Sequence, residues 1–150
     1  MDNGATNTTS FHSPKEHYVA DATAVWCFDC RFRKALGALC NHLGINPAKV
    51  DEIKVGGGAR TLASAGGETK IILDQILASV KLHNSKRVIV MTHSDCGACG
   101  GLAAFRNNPR FEKQEYEKMH RNIRQLLSAN LPAETQVISV FVDFDKIYIL

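Results

Sequence analysis

Long apolar runs and charge of one dominant sign are both missing from this sequence. Its 150 residues contain 18 Lys and Arg against 15 Asp and Glu, a net charge of +3, and the basic residues form no cluster. Such a weak and dispersed charge argues against binding of nucleic acid or of an anionic membrane surface. No apolar stretch is long enough to cross a bilayer, so we expect no membrane partner.

The amino terminus lacks the features of a secretory signal. It has neither a basic n-region nor an apolar h-region, and we therefore expect a cytoplasmic protein. Its polar, Asn- and Thr-rich start predicts an N-terminal arm or disordered tail over residues 1–20. The remaining length suits one domain, which we place at residues 21–150.

Disulfides are a further feature that we do not expect. The chain has five cysteines, an odd number, and a reducing compartment disfavours their pairing. Four of them form two C-x-x-C strings, Cys27 with Cys30 and Cys96 with Cys99. In the cytosol such strings usually bind metal or carry out redox chemistry. Cys40 lies on the apolar face of a predicted helix, and we interpret it as core packing.

Hydrophobic periodicity predicts alternating strands and helices. Short, uniformly apolar runs are typical of strands buried on both faces, whereas apolar residues three and four apart indicate amphipathic helices. The predicted strands are 22–28, 51–55, 86–92, 136–144 and 146–150. The predicted helices are 31–43, 68–83, 97–106 and 111–129.

This alternation predicts an α/β fold with a doubly wound, mainly parallel sheet of about five strands. We expect the strand order 2-1-3-4-5, flanking helices, and an antiparallel last strand that forms a hairpin with the fourth. Strands one and three then lie side by side, and their carboxyl ends flank the crevice where such sheets bind ligands. Both C-x-x-C strings follow these two strands, so we expect them to meet.

Two kinds of metal site are compatible with the residues at this crevice. One is a tetrathiolate site of Cys27, Cys30, Cys96 and Cys99, which would suit a non-enzymatic zinc or thiol protein. The other uses Cys27, Cys96 and His93. Three protein ligands with one open position are the pattern of catalytic zinc.

Asp29 and Arg31 lie beside the second of these sites. In an extended segment alternate residues point the same way, so the two side chains would share a face. A bidentate, charge-assisted hydrogen bond from Arg31 would hold the carboxylate off the metal and leave the open position to water. Asp29 would then orient that water; without Arg31 it could become the fourth ligand. The pair could also be a plain ion pair that caps the first helix.

The motifs C-x-D-x-R after the first strand and H-x-x-C-G after the third resemble those of the β-class carbonic anhydrases. The matching residues are Cys27, Asp29, Arg31, His93, Cys96 and Gly97. The resemblance implies one zinc ion (Zn2+) per chain held by Cys27, His93 and Cys96, and a catalytic dyad of Asp29 and Arg31. It also implies a homodimer or a higher homo-oligomer.

The same resemblance implies the reaction. This is the reversible hydration of carbon dioxide to bicarbonate by attack of a zinc-bound hydroxide. Two alternatives stay open. One is a related zinc hydrolase of another small heterocumulene, carbonyl sulfide or carbon disulfide. The other is the non-enzymatic zinc or thiol protein that uses both C-x-x-C strings.

Other residues with possible chemistry receive structural interpretations. The Gly56–Gly58 string lacks the spacing of a phosphate-binding loop, and we interpret it as a close-packed turn that lines the site. His42, His83 and His120 lie on predicted helices or helix ends, and we interpret them as surface residues.

Overall fold

One mixed sheet of five strands organises the chain. A computed structural model describes residues 8–150. Its strands are β1 (Ala22–Cys27), β2 (Val50–Val55), β3 (Arg87–His93), β4 (Gln136–Val142) and β5 (Ile147–Ile149), and its helices are α1 (Arg33–Leu43), α2 (Gly67–His83) and α3 (Pro109–Asn130). The strand order is β2-β1-β3-β4-β5, with β5 antiparallel to β4 and the other pairs parallel. The predicted fold class, strand order and final hairpin are confirmed.

The strands β1 and β3 lie at the centre of the sheet because they are apolar almost throughout. Every residue of β1 is buried, and so is every residue of β3 after Arg87. The two strands run parallel, with Thr23 opposite Val88. Their last residues, Cys27 and His93, therefore lie at the same edge of the sheet.

Helices cover both faces of the sheet. On one face, Leu39 of α1 packs in a core with Trp26 and Met91. On the other face, Ile76 of α2 and Ile123 of α3 belong to a second core. Since both faces are covered, the ends of the strands are the places where a parallel sheet of this kind can bind ligands. Among the described residues, no helix is both long and apolar enough to cross a membrane.

The prediction of a helix over residues 97–106 is wrong. Two short 3-10 turns, Gly97–Cys99 and Leu102–Phe105, occupy this segment. Gly100 and Gly101 separate the turns, with φ angles of +85° and +65°. Backbone in this left-handed region ends a helix, and glycine adopts it at little cost.

The interpretation of His120 as a surface residue is also wrong. His120 is fully buried in α3, and its Nε2 lies 2.9 Å from Oγ1 of Thr92. It follows the buried Tyr116 by four residues and precedes the buried Ile123 by three, so helical spacing places it on the inner stripe. Burial lowers the pKa of His120 to about 4, which keeps the ring uncharged at neutral pH. His42 is exposed, as predicted.

The segment from residue 8 to β1 contains neither helix nor strand. The tail predicted for residues 1–20 lies partly outside the described residues, which begin at residue 8. Tyr18 packs its ring on that of His83, with centroids 4.4 Å apart, and donates a hydrogen bond to Asp51 at 2.6 Å. His83 is therefore half-buried, not the surface residue that we predicted.

Candidate metal centre

Three potential metal ligands converge at the carboxyl end of the two central strands. Cys27 ends β1, His93 ends β3, and Cys96 follows three residues later. One ligand atom from each side chain lies within 4.8 Å of the other two, and all three residues are buried. In the part of the chain that the structure describes, no other three metal-capable side chains come this close.

The His93 ring is oriented so that one nitrogen remains available. Its Nδ1 lies 2.8 Å from the backbone oxygen of Ser94. A carbonyl oxygen only accepts, so Nδ1 carries the proton and Nε2 is the unprotonated nitrogen. This Nε2 is buried and has no hydrogen-bond partner among the described residues. Such an atom needs an explanation, and a metal ion between it and the two thiols provides one.

The two thiols need a cation beside them in order to ionise. Burial raises the pKa of Cys27, although the backbone N–H groups of Asp29 and Gly57 donate to its sulfur and oppose the effect. A hydrogen bond with Cys99, together with burial, raises the pKa of Cys96 to about 11. A bound divalent ion favours the thiolate form of both. Two sulfurs and an imidazole nitrogen are ligands that Zn2+ prefers, so the donor set fits zinc.

Gly58 allows the turn after β2 to pack against both central strands. Its φ angle is +56°, and a Cβ on this residue would lie 2.4 Å from the carbonyl oxygen of Met91 and 3.2 Å from the backbone nitrogen of Cys27. No side chain fits at these distances, so glycine is required here. The structure therefore agrees with the interpretation of Gly56–Gly58 as a close-packed turn.

Asp29 and Arg31 form a tight pair next to the three potential ligands. Arg31 donates from Nη2 to Oδ2 of Asp29 at 2.7 Å, and its Nε lies 3.1 Å from each carboxylate oxygen. Oδ1 of Asp29 also accepts the backbone N–H of Arg31 at 3.0 Å and so caps the 3-10 turn Cys30–Phe32. The side chains meet through this turn, not through the extended alternation that we predicted. Hydrogen bonds from Arg31 lower the pKa of Asp29, which is therefore ionised at neutral pH.

A second acid and two aromatic rings complete the surroundings of Arg31. Its Nη1 donates to Oδ2 of Asp95 at 3.2 Å, and its Nη2 donates to the backbone oxygen of Asp95 at 3.0 Å. Its guanidinium lies 5.6 Å from the ring centroid of Phe32 and 5.5 Å from that of Phe144. Sequence reasoning assigned no role to Asp95, although its place inside the H-x-x-C string was an available signal.

Glu112 of α3 lies under the loop that follows β3. It is fully buried, and its Oε1 accepts the backbone N–H of Asp95 at 2.8 Å. Burial raises the pKa of Glu112, although hydrogen bonds from the Asp95 backbone and the Ser94 hydroxyl oppose this. We did not predict this residue as part of the site. Its spacing of four residues before the buried Tyr116 placed it on the inner stripe of the helix.

The other cysteines lie outside the group of three. Cys30 is exposed, and Cys99 is half-buried beside Cys96. Neither belongs to the close group of ligand atoms, so the structure does not bring the four motif cysteines of the tetrathiolate alternative into one cluster. Cys40 is fully buried in the core that includes α1, as predicted.

Comparison with protein families assigns the chain to one of them. The model of the family described as "Putative carbonic anhydrase" matches residues 18–148. The chain belongs to this carbonic anhydrase family. The resemblance recognised in the two short motifs is thereby confirmed. No curated protein sequence matches the chain.

Solved structures of carbonic anhydrases share the fold at low sequence identity. The β-carbonic anhydrase isoform I of Trichomonas vaginalis aligns with a TM-score of 0.61 at 14% identity, over 93% of this chain and 87% of that chain. The carbonic anhydrase of Streptococcus mutans aligns with a TM-score of 0.59 at 15% identity, over 94% and 87%. A carbon disulfide hydrolase aligns with a TM-score of 0.54 at 17% identity, over 86% and 76%. These similarities show the fold, and residue roles must be argued from this chain's own geometry.

Proposed function

We propose that this member of the carbonic anhydrase family is a zinc enzyme that reversibly hydrates carbon dioxide to bicarbonate. One observation carries the proposal: the Cys27, His93 and Cys96 group lies at the same crevice as the Asp29–Arg31 pair. Three protein ligands leave one position of a tetrahedral zinc open to water or substrate. Membership of the family supports the same reaction.

Cys27, His93 and Cys96 would hold one zinc ion per chain. Two thiolates and one neutral imidazole balance the charge of the ion, which limits the cost of burying it. Zinc at this position would supply Lewis acidity, which lowers the pKa of water at the open position. The backbone N–H groups that donate to the Cys27 sulfur would keep that ligand in a fixed orientation.

Asp29 would orient the attacking water without removing its proton. Hydrogen bonds from Arg31 lower the pKa of Asp29, and a carboxylate of low pKa is a weak base. An ionised carboxylate only accepts hydrogen bonds. The nucleophile would be hydroxide, which forms when water at the open position loses a proton to solvent. Asp29 can accept the hydrogen that remains and direct a lone pair at the carbon of carbon dioxide, and this attack gives bicarbonate. Orientation of this kind lowers the entropic part of the barrier.

Arg31 would hold Asp29 in the position where it can perform this role. Its Nε and Nη2 donate to both carboxylate oxygens, so Asp29 cannot turn toward the thiols without breaking charge-assisted hydrogen bonds. The rings of Phe32 and Phe144 lie on the guanidinium and restrict its movement. The arginine is thus a partner of the carboxylate and not a metal ligand.

Stopped-flow hydration of carbon dioxide by the zinc-loaded protein tests the proposal. We expect turnover that rises with pH as water ionises, that disappears when zinc is chelated and that returns when zinc is restored. Two thiolate ligands should place the midpoint of the rise above about 7, the value typical of zinc with three histidines. Hydration no faster than in buffer, at every pH where the zinc-loaded protein is folded, would overturn the proposal.

Hydrolysis of carbonyl sulfide or carbon disulfide is a second candidate function. A carbon disulfide hydrolase shares this fold, and water attacks the carbon of a linear, uncharged molecule in each of these reactions. Release of hydrogen sulfide, measured on the same preparation as hydration of carbon dioxide, decides between them. A higher kcat/KM for a sulfur-containing substrate would assign the second function.

We further propose that the protein forms a homodimer or a higher homo-oligomer. Phe28 and Ile71 are 68% and 62% exposed. Both lie near Gly56. The Phe28 ring packs on Gly56, and Ile71 and Gly56 together line a cavity of about 420 Å³. Large apolar side chains exposed around the same turn indicate a surface that a partner covers. Light scattering should show a dimer or larger species at micromolar concentration, and a monomer would overturn the proposal.

A further inference from the structure

The hydrogen bonds of Arg31 extend beyond its pair with Asp29. Its Nε and Nη2 face Asp29, whereas Nη1 donates to Oδ2 of Asp95 at 3.2 Å and Nη2 also donates to the Asp95 backbone oxygen at 3.0 Å. The two carboxylates therefore contact different edges of the planar guanidinium, and Nη2 is shared between the Asp29 carboxylate and the Asp95 backbone oxygen. A planar group held on two sides cannot rotate about its stem without breaking bonds on one of them.

Asp95 is itself held in place by the fold. Its Oδ1 accepts the backbone N–H of Leu102 at 2.9 Å, and its own N–H donates to the buried Glu112 at 2.8 Å. Its φ angle is +53°, a region that asparagine and glycine also adopt readily. The backbone at this position therefore does not require a charged side chain. Hydrogen bonds from the Leu102 N–H and from Arg31 lower the pKa of Asp95, and an asparagine can keep the first of these bonds but not the second.

The Asp29–Arg31 pair is open to water mainly on the arginine side. The side chain of Arg31 is 43% exposed and that of Asp29 is 20% exposed, and water weakens ion pairs at such positions. Asp95, whose side chain is 44% exposed, adds a contact at Nη1 that Asp29 does not make. This contact restricts the guanidinium in addition to Asp29.

We propose that Asp95 is a positioning residue, which holds Arg31 in the orientation that keeps Asp29 away from Cys27, His93 and Cys96. Among the described residues, no hydrogen bond joins the Asp95 side chain to Cys27, His93 or Cys96, and Asp95 acts through Arg31. The inference rests on the proposed function, because it concerns the same dyad. The contact between Asp95 and Arg31 can nevertheless be measured without turnover.

Asp95→Asn isolates this contact. Asparagine has the same shape, tolerates the positive φ angle, and keeps an oxygen for the Leu102 N–H, while its amide nitrogen faces Arg31 and cannot accept. Asp95→Gly serves as a second variant that also suits the backbone. Asp74→Asn is the matched control, because it removes the acid of an exposed ion pair with Lys70 on α2.

The measured quantity is the rate at which the Arg31 Nε–H exchanges its hydrogen with water. NMR measures this rate on the zinc-loaded protein without substrate. We expect exchange about threefold faster or more in Asp95→Asn and Asp95→Gly, and no change in Asp74→Asn. Zinc content and the midpoint of thermal unfolding should stay at wild-type values in Asp95→Asn. Unchanged Arg31 exchange in both Asp95 variants would overturn the inference.

A double variant adds a kinetic test of action through Arg31. If Asp95 acts only through the arginine, Asp95→Asn lowers kcat in the wild-type background and has no further effect in Arg31→Ala. Equal additional losses in both backgrounds would overturn the inference. A protein that shows the faster Arg31 exchange but never hydrates carbon dioxide would contradict the proposed function and leave the positioning role of Asp95 standing.

Discussion

The two ends of the parallel sheet carry polar clusters that differ in how completely they are bonded. At the carboxyl end, Nε2 of His93 is buried without a hydrogen-bond partner among the described residues. The thiols of Cys27 and Cys96 lie within 4.8 Å of it, and both are buried. The three donor atoms therefore surround a common position, where the proposed zinc ion would bind.

At the amino end, a cluster around Asp51 is closed. Tyr18 and Ser79 donate to its carboxylate at 2.6 and 2.5 Å, and Nδ1 of His83 lies 2.7 Å from it. The hydroxyls of Ser79 and Thr23 are 2.6 Å apart. The bonds join the N-terminal segment, β1, β2 and α2. This cluster stabilises the fold, and none of its atoms is among the buried side-chain atoms of the described residues that lack a hydrogen-bond partner.

The two clusters differ in how many of their buried polar atoms have hydrogen-bond partners, and this difference distinguishes a structural cluster from a candidate functional one. A buried polar group without a partner destabilises the fold, whereas a satisfied network contributes stability. Asp51 with His83 contains residue types found in catalytic sites, and yet the Asp51 carboxylate is bonded by Tyr18, Ser79 and His83. His93 with two cysteines is the group that the proposed zinc ion would complete. Substitutions at the carboxyl end should therefore reduce zinc content or turnover, whereas substitutions at the amino end should reduce the free energy of unfolding.

The largest effect should follow removal of a ligand at the carboxyl end. Cys96→Ala should reduce zinc from about one ion per chain to almost none, because two ligands hold zinc poorly. Cys40→Ala is the matched control, since Cys40 is at least as buried; it should lower the free energy of unfolding by roughly 1–3 kcal/mol and keep its zinc. Metal analysis of the purified proteins measures this. Full zinc content in Cys96→Ala would remove the distinction between the two ends.

Arg31→Ala should have the next largest effect, on turnover alone. Asp29 loses the donors that hold it and is free to turn toward the zinc position, so kcat should fall by roughly a hundredfold while zinc content stays constant. Stopped-flow kinetics and metal analysis on the same samples measure the two quantities. Arg121→Ala, at an exposed position of α3, is the control and should keep its activity. Wild-type turnover in Arg31→Ala would contradict the role assigned to the dyad.

Asp51→Asn should affect stability at the amino end and leave zinc content unchanged. Burial opposes ionisation of Asp51, but hydrogen bonds from Ser79, Tyr18 and His83 outweigh it and lower the pKa. Its contribution is therefore complete above the unfolded-state pKa of about 3.9 and is lost as pH falls through the lower folded value. We expect a loss of roughly 1–3 kcal/mol at neutral pH.

Urea unfolding across pH measures this effect. The difference in free energy of unfolding between wild type and Asp51→Asn should become smaller in acid, because both proteins then carry an uncharged group at this position. Glu134→Gln, which removes the acid of an exposed pair with Lys86, should differ little from wild type at any pH. A difference that stays constant into acid would show that charge does not contribute to the closed cluster.

The smallest effect is expected for the two cysteines beside the metal centre. Cys30→Ser and Cys99→Ser should leave zinc content unchanged, since neither sulfur belongs to the close group of ligand atoms. Metal analysis after dialysis against a weak chelator gives the comparison with wild type. Loss of zinc in both variants would favour the tetrathiolate alternative and extend the open cluster to four cysteines.

Sequence reasoning recovered most of the fold because local patterns carry it. The run Ala22–Cys27 is apolar apart from Thr23 and became a strand buried on both faces. The helix predicted over 97–106 failed because the Gly100–Gly101 pair was given too little weight against the surrounding apolar residues. His120 was misplaced because its polarity was weighed above its position on the inner stripe of α3.

The candidate site was predictable in part for a different reason. Cys27, Asp29, Arg31, His93 and Cys96 lie in two short motifs, and the strand order implied that those motifs meet. Asp95, Phe144 and Glu112 were not predicted in the surroundings of the site, because they reach it from a loop, a hairpin and a helix surface. Local spacing places Asp95 inside a motif and Glu112 on the inner stripe of a helix, but it does not specify which side chains the two residues contact.

The sequence by itself determined the chemistry available to this protein: two thiols, an imidazole and an acid–arginine pair, placed directly after apolar strands. These are properties of side chains and of their near neighbours in the chain, so the sequence alone specifies them. Only the tertiary structure decided which atoms remain free. The Ser94 carbonyl lies at Nδ1 of His93 and leaves Nε2 available, and Arg31 meets a second acid in Asp95. The bond from Arg31 to Asp95 joins positions 64 residues apart in the chain. Such a bond depends on distances of a few tenths of an ångström, and packing sets those distances.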